Sequence, residues 1–191
     1  MIIGIAMVNK RNLLRTGLGI SAGLSTLSLT GCASPNVSEY INQTPTLDLK
    51  NYFNGVIDAW GIFTDRNGKV VKRFTVVLNC SWSGEQGTLD EDFTYSDSTH
   101  QKRIWNLTHL GGGNYSGSAG DVVGEAHGNT VGNAFHWNYT LALPVGNSIW
   151  NVQFDDWMFL MSERVMLNKA SMSKFGINLG EVTLSFTKRA A

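Results

Sequence analysis

From about Leu47 onward the chain alternates apolar and polar residues with a period of two. "KVVKRFTVVLNCSWS" puts Phe74, Val76, Leu78, Cys80 and Trp82 on one face. "TLDEDFTY" places Leu89, Glu91, Phe93 and Tyr95 in phase. "AFHWNYTLAL" sets Phe135, Trp137, Tyr139, Leu141 and Leu143 against Ala134, His136, Asn138 and Thr140. This periodicity marks strands with one buried face. Between the segments lie "RNG", "SGEQG", "SDSTH", "GGGN" and "PVGN", residue types that reverse a chain within a few positions. The pattern predicts about nine or ten consecutive strands, with a short helix or lid just after Leu47. An open meander of that length would expose two adhesive edges. The expected fold is therefore all-β, a single antiparallel up-and-down β-barrel of about 8–10 strands, with a β-sandwich as the alternative.

The first 31 residues have a different texture. "NKRNLLR" is positively charged, and "TGLGISAGLSTLSLTG" is mildly apolar with small residues near its end. Together they read as a secretory signal, with Met7 a possible start and "KRNLLR" close to a twin-arginine pattern. "LTGC", Leu29 to Cys32, has the form of a lipobox. Small side chains let the backbone enter a signal peptidase, and the Cys32 thiol takes a diacylglycerol. Cleavage then frees an amine for a further acyl chain such as palmitate, which gives stable anchoring. Residues 33–46, "ASPNVSEYINQTPT", are polar and turn-rich and read as a tether. The expected organisation is a signal peptide over 1–31, a lipidated tether over 32–46 and a barrel domain over 47–191. Ala33 stands where inner-membrane retention would place Asp, and the resemblance to enterobacterial sorting rules implies the periplasmic face of the outer membrane.

Charge narrows the partners. The formal net charge is zero over the whole chain. Without Lys10, Arg11 and Arg15, fifteen basic residues become twelve against fifteen acidic ones, so the mature chain carries about −3. No basic patch for nucleic acid is visible. Cys80, the second of two cysteines, reads as a small apolar residue in a strand.

"LDLKNYFNGVIDAWGIFTDRNGKVVKRFTV", "LDEDF", "GDVVGEAHG", "FDDWMF" and "SKFGINLGEVTLSF" resemble a proteobacterial lipoprotein family known as domain of unknown function 3833. The resemblance implies a lipidated envelope protein with a lipocalin-like barrel, and supplies no catalytic residues. "DAWGIF" is also similar to the Gly-x-Trp signature of lipocalins, with the order reversed at Trp60 and Gly61; Lys188 or Arg189 would then pack on Trp60.

Several groups carry candidate chemistry. "TLDEDFTY" and "QKRIWNLTHL" form an expected hairpin. With Tyr95 opposite Gln101, Phe93 faces Arg103 and Glu91 faces Trp105 inside the barrel. Arg103 could then hold a fatty-acid carboxylate beside Glu91, with Phe93, Trp105, Trp137 and Tyr139 lining the tail. A one-residue slip would instead give a surface Asp92–Arg103 pair. Glu125, His127 and His136 could meet outside as zinc ligands, or the two histidines could be ordinary cross-strand surface residues. Asp155 and Asp156, read at a strand end, could serve acid–base chemistry or a turn. No cofactor motif is present, so none is expected. The leading expectation is a monomeric, membrane-anchored carrier of a fatty acid or other apolar ligand. The alternatives are an interaction protein with a filled barrel and an enzyme acting on acyl chains.

Overall fold

The computed structural model describes residues 35–190. The leader and Cys32 lie outside these residues. Ten strands close into one barrel: β1 (Gly55–Asp65), β2 (Val70–Ser83), β3 (Gln86–Tyr95), β4 (His100–Gly111), β5 (Asn114–Ser118), β6 (Ala126–Val131), β7 (Ala134–Val145), β8 (Ser148–Leu160), β9 (Val165–Lys174) and β10 (Ile177–Lys188). Each strand pairs antiparallel with its sequence neighbours, and β10 returns to β1 with Trp60 opposite Ser185. The all-β meander expected from the alternation is the fold, and closure removes both edges.

The barrel has two unlike ends. A helical turn, α1 (Leu49–Tyr52), capped by the Asp48 side chain, plugs one of them. Leu47, Leu49, Tyr52 and Phe53 are buried there among Leu89, Leu107, Tyr115, Phe135 and Phe186. The Trp82 indole donates to the Phe53 carbonyl at 2.8 Å, and Tyr52 Oη donates to the Arg164 carbonyl at 3.1 Å. This half is packed nearly solid, with residual space of about 30 Å³. The turns β1–β2, β3–β4, β7–β8 and β9–β10 form the other end.

Close packing inside the wall explains two glycines. A Cβ on Gly61 would lie 2.5 Å from the Phe74 ring. One on Gly128 would lie 2.2 Å from Trp137 Cβ and 2.5 Å from the His136 carbonyl oxygen. The stem of Trp137 thus sits directly on the neighbouring backbone.

The wall is incomplete between β4 and β7. Short β5 pairs with β4 only from Asn106 to Gly111, and short β6 pairs with β7 only as far as Asn138. Residues 119–125 span the remaining gap as a strap. Val123 N–H donates to the Thr140 carbonyl, and Ala142 N–H to that of Asp121, both at 2.8 Å. Val122 forms an isolated bridge with Leu141.

Trp60 corrects one expectation. It lies on the outer face, 52% exposed. Lys188 reaches the Asn51 carbonyl and Arg189 clamps Asp58 at 2.7 and 2.8 Å, so both cations are engaged away from the indole.

A polar floor in a half-hollow barrel

Above the plugged half, the barrel encloses a cavity of about 410 Å³. Its walls are apolar, with Phe63, Phe74, Phe93, Leu141, Phe154 and Met172 among them. Its floor is polar: Glu91, Arg103, Asp121, Tyr139, Asp156 and Asn168.

The alternation of β3 and β4 places Glu91 and Arg103 inside. Their register differs from the expected one: Glu91 faces Arg103 directly, Phe93 faces Gln101, and Leu89 faces Trp105. The cause is a tight turn. Tyr95 N–H donates to the Thr99 carbonyl, and Ser98 adopts φ 64°. Pairing therefore resumes at Thr94 and His100. The shift is two residues, so every side chain keeps its face. On the outer face Lys102, rather than Arg103, takes the acids, 3.0 Å from Asp90 and 3.7 Å from Asp92.

Arg103 is already neutralised. Its Nε lies 3.1 and 3.2 Å from the two Asp121 carboxylate oxygens, and a terminal nitrogen lies 2.7 Å from Oδ2. This fork ties the strap to β4. Glu91 lies deep in the barrel yet lines the cavity. Burial pushes its pKa up to about 7 against the pull of Arg103, with Asp121 and Asp156 adding to the rise.

A second cluster faces it. Tyr139 Oη donates to Asp156 Oδ2 at 3.0 Å, and the Asn168 amide donates to Oδ1 and to the Trp157 carbonyl. Burial lifts Asp156 to about 6, with these donors opposing the shift. Tyr139 is held far above the usual phenol value by burial and by Asp156. The Trp137 indole, 5% exposed, is turned toward Asp156 but completes no hydrogen bond. Trp105, Trp137, Tyr139 and Phe154 form an aromatic run with ring centroids 4.7–5.4 Å apart.

The structure brings Glu91, Phe93, Arg103, Trp105, Trp137 and Tyr139 together around one cavity. It separates the other candidates. Asp155 and Asp156 lie within β8, not at its end, and point to opposite faces. Asp155 is outside, 2.7 Å from His136 Nε2, so the two do not form a carboxylate pair. His136 stacks on Trp157 at 4.0 Å. His127 is exposed, 3.8 Å from Glu125. Among the described residues no group of three His, Cys, Asp or Glu could hold a metal. A larger concavity of about 590 Å³ lies along Trp60, Arg73 and Leu167, but it is an open, shallow surface.

Asp121 and Asn168 were missed as functional residues. Asn168 had a signal: it is in phase with Met166, Ala170 and Met172 on the inner face of β9. Asp121 had none, because a strap lacks periodicity.

The family model described as "Protein of unknown function (DUF3833)" matches residues 26–188, a stretch that includes Cys32. No curated protein matches the chain significantly. Among solved structures, the barrel is similar to an S-type phycobiliprotein lyase from Guillardia theta. That likeness has a TM-score of 0.56 at 4% identity, over 82% of this chain and 99% of the other. It is also similar to a protein of unknown function of the DUF3598 family from Nostoc punctiforme, with a TM-score of 0.51 at 10% identity. That match covers 83% of this chain and 53% of the other, about half its length. At these identities the likeness establishes the fold.

Proposed function

We propose that this chain, which belongs to the DUF3833 family of proteins of unknown function, is a lipocalin-like binder of a small amphipathic ligand. The cavity is the observation that carries the reading. Its volume of about 410 Å³ falls in the range of small-molecule sites, roughly 300–1,000 Å³, and apolar walls around a few convergent polar groups are the usual lining. The alternative of a barrel filled by its own side chains suits only the plugged half. The lipobox at Cys32 supports a carrier held at the periplasmic face of the outer membrane, where apolar cargo is at hand.

The floor favours one kind of polar end. Arg103 has Asp121 in a two-point fork and Glu91 opposite. A fatty-acid carboxylate would have to displace Asp121 and would meet Glu91 and Asp156. An amine or hydroxyl end instead finds acceptors on Glu91 and Asp156. The ligand is an apolar chain ending in a hydrogen-bond donor, seated beside Trp105 and Trp137.

Titration of the protein with dodecylamine, dodecanol and dodecanoate, followed by tryptophan fluorescence at pH 7.5, tests this reading. Saturable binding with the amine or alcohol ahead of the carboxylate is expected. Tightest binding of dodecanoate would overturn the assignment of the polar end. Failure of all three would count against the binder itself.

A further inference from the structure

The open end of the barrel carries an unusual surface. Three turns that are adjacent around the rim, β1–β2, β9–β10 and β7–β8, each expose large apolar side chains. These are Val70 and Val71, Phe175 and Ile177, and Ile149. The β3–β4 turn across the mouth is polar, "SDST". Apolar residues exposed on adjacent turns mark an interaction surface.

Phe175 is the clearest member. It is 87% exposed and sits at φ 52°, followed by Gly176 at φ 75°. Two successive positive φ values belong to a hairpin turn that favours Asn-Gly. A bulky aromatic there is strained and gains no burial in return. The chain therefore maintains an exposed ring at a cost to its own stability, which points to a role outside the folded barrel.

Charge identifies the partner. Arg66, Lys69 and Lys174 lie on or beside these turns. Lys174 Nζ is 4.6 Å from the Phe175 ring centroid and 5.4 Å from that of Trp150. The nearby carboxylates are engaged within the turns. Asp65 accepts from the Asn67 and Lys69 amides, and Asp97 accepts from Thr99 and pairs with Lys72 at 3.0 Å. Asp97 is balanced by Lys72, and Arg66, Lys69 and Lys174 outnumber the one remaining carboxylate, Asp65, so the rim is basic on a domain that is acidic as a whole. Apolar tips bracketed by cations match the interface of a bilayer containing anionic lipid, where rings enter the headgroup layer and cations meet phosphates.

We propose that this arc docks the mouth of the barrel onto an anionic lipid bilayer, with Phe175 as the inserted anchor. The docking surface is independent of what the cavity holds. It places the cavity entrance against lipid, the route by which an apolar ligand would enter without crossing water; because Val37–Tyr40 packs beside Gly132 at the plugged end, this is a bilayer facing the one that a lipid on Cys32 would enter.

Vesicle binding tests the proposal with the full chain carrying Cys32→Ala, so that no acyl anchor forms. A nitrobenzoxadiazole label is placed at Asn147→Cys on the mouth or at Glu163→Cys on the plugged end; the buried Cys80 thiol stays unlabelled. Phosphatidylglycerol-containing vesicles should raise the emission of the mouth label severalfold and leave the plugged-end label unchanged. Phosphatidylcholine vesicles should act more weakly, and salt should weaken the response. Phe175→Asn, which suits the turn, should keep or raise the melting temperature while weakening vesicle binding by about tenfold or more. A silent mouth label, an equal response from the plugged end, or unchanged binding of a folded Phe175→Asn protein would overturn the proposal.

Discussion

Glu91→Gln tests the account of the polar floor. In the native protein, burial raises Glu91 from an ordinary 4.5 to about 7, even with Arg103 opposite. A carboxyl with a raised native pKa holds its proton more tightly folded than unfolded. Its stabilising contribution is complete below pH 4.5. It is lost as pH rises toward 7, and no further loss follows above that. The gap corresponds to about 3 kcal/mol, at 1.36 kcal/mol per pKa unit. Asp156 acts with the same sign between its ordinary 3.8 and about 6, and is untouched in the variant. Gln has the shape of the protonated acid and cannot ionise. The variant should therefore match the parent near pH 4.5 and exceed it by about 2–3 kcal/mol at pH 8. At roughly 2–4 °C per kcal/mol, the melting difference is large enough to read directly. Urea unfolding followed by tryptophan fluorescence at intervals from pH 4.5 to 8 gives the profile. Superimposable profiles would refute the burial argument. A variant less stable than the parent at pH 8 would show that Arg103 needs the Glu91 charge.

Three other perturbations probe separate parts of the fold. Asp121→Asn removes the charge that holds the strap to Arg103. It should cost about 1–3 kcal/mol, and hydrogen exchange at the Val123 and Ala142 amides should quicken ahead of the β1–β10 seam. Gly128→Ala drives a methyl into the Trp137 stem and the His136 carbonyl. A loss on the order of 2–4 kcal/mol is expected in a denaturant titration. Cys80 is buried and its thiol is pushed up to about 12, chiefly by desolvation. Ellman's reagent at pH 8 should therefore label it only at the rate of unfolding.

Strand faces were legible because a period of two persists along a strand wherever no bulge interrupts it, as one does between Phe63 and Thr64. Phe74, Val76 and Leu78 face inward whatever the turn does. Register was less legible. The β3–β4 turn closes between Tyr95 and Thr99 with Ser98 in a left-handed conformation, a geometry that no residue in "SDSTH" announces as Gly would. The observed register differs from the expected one by two residues, which moves partners without moving faces. The polar floor was half visible: Glu91, Asp156 and Asn168 are polar residues in phase with apolar ones. "FDDW" looked like a pair because adjacency in sequence suggests adjacency in space, whereas neighbours on a strand point apart. Asp121 was invisible, since it reaches Arg103 from a segment that only closure of the barrel brings near.

Native mass spectrometry of the purified protein, beside a variant in which Ala170→Phe fills the cavity from β9, tests the central claim most directly. Ala170 is buried and lines the cavity. The account predicts a one-to-one adduct of a small amphiphile on the parent, or its appearance on adding dodecylamine, and its loss from the folded variant. An adduct that persists in the variant, or a parent that takes up no amphiphile, would contradict it.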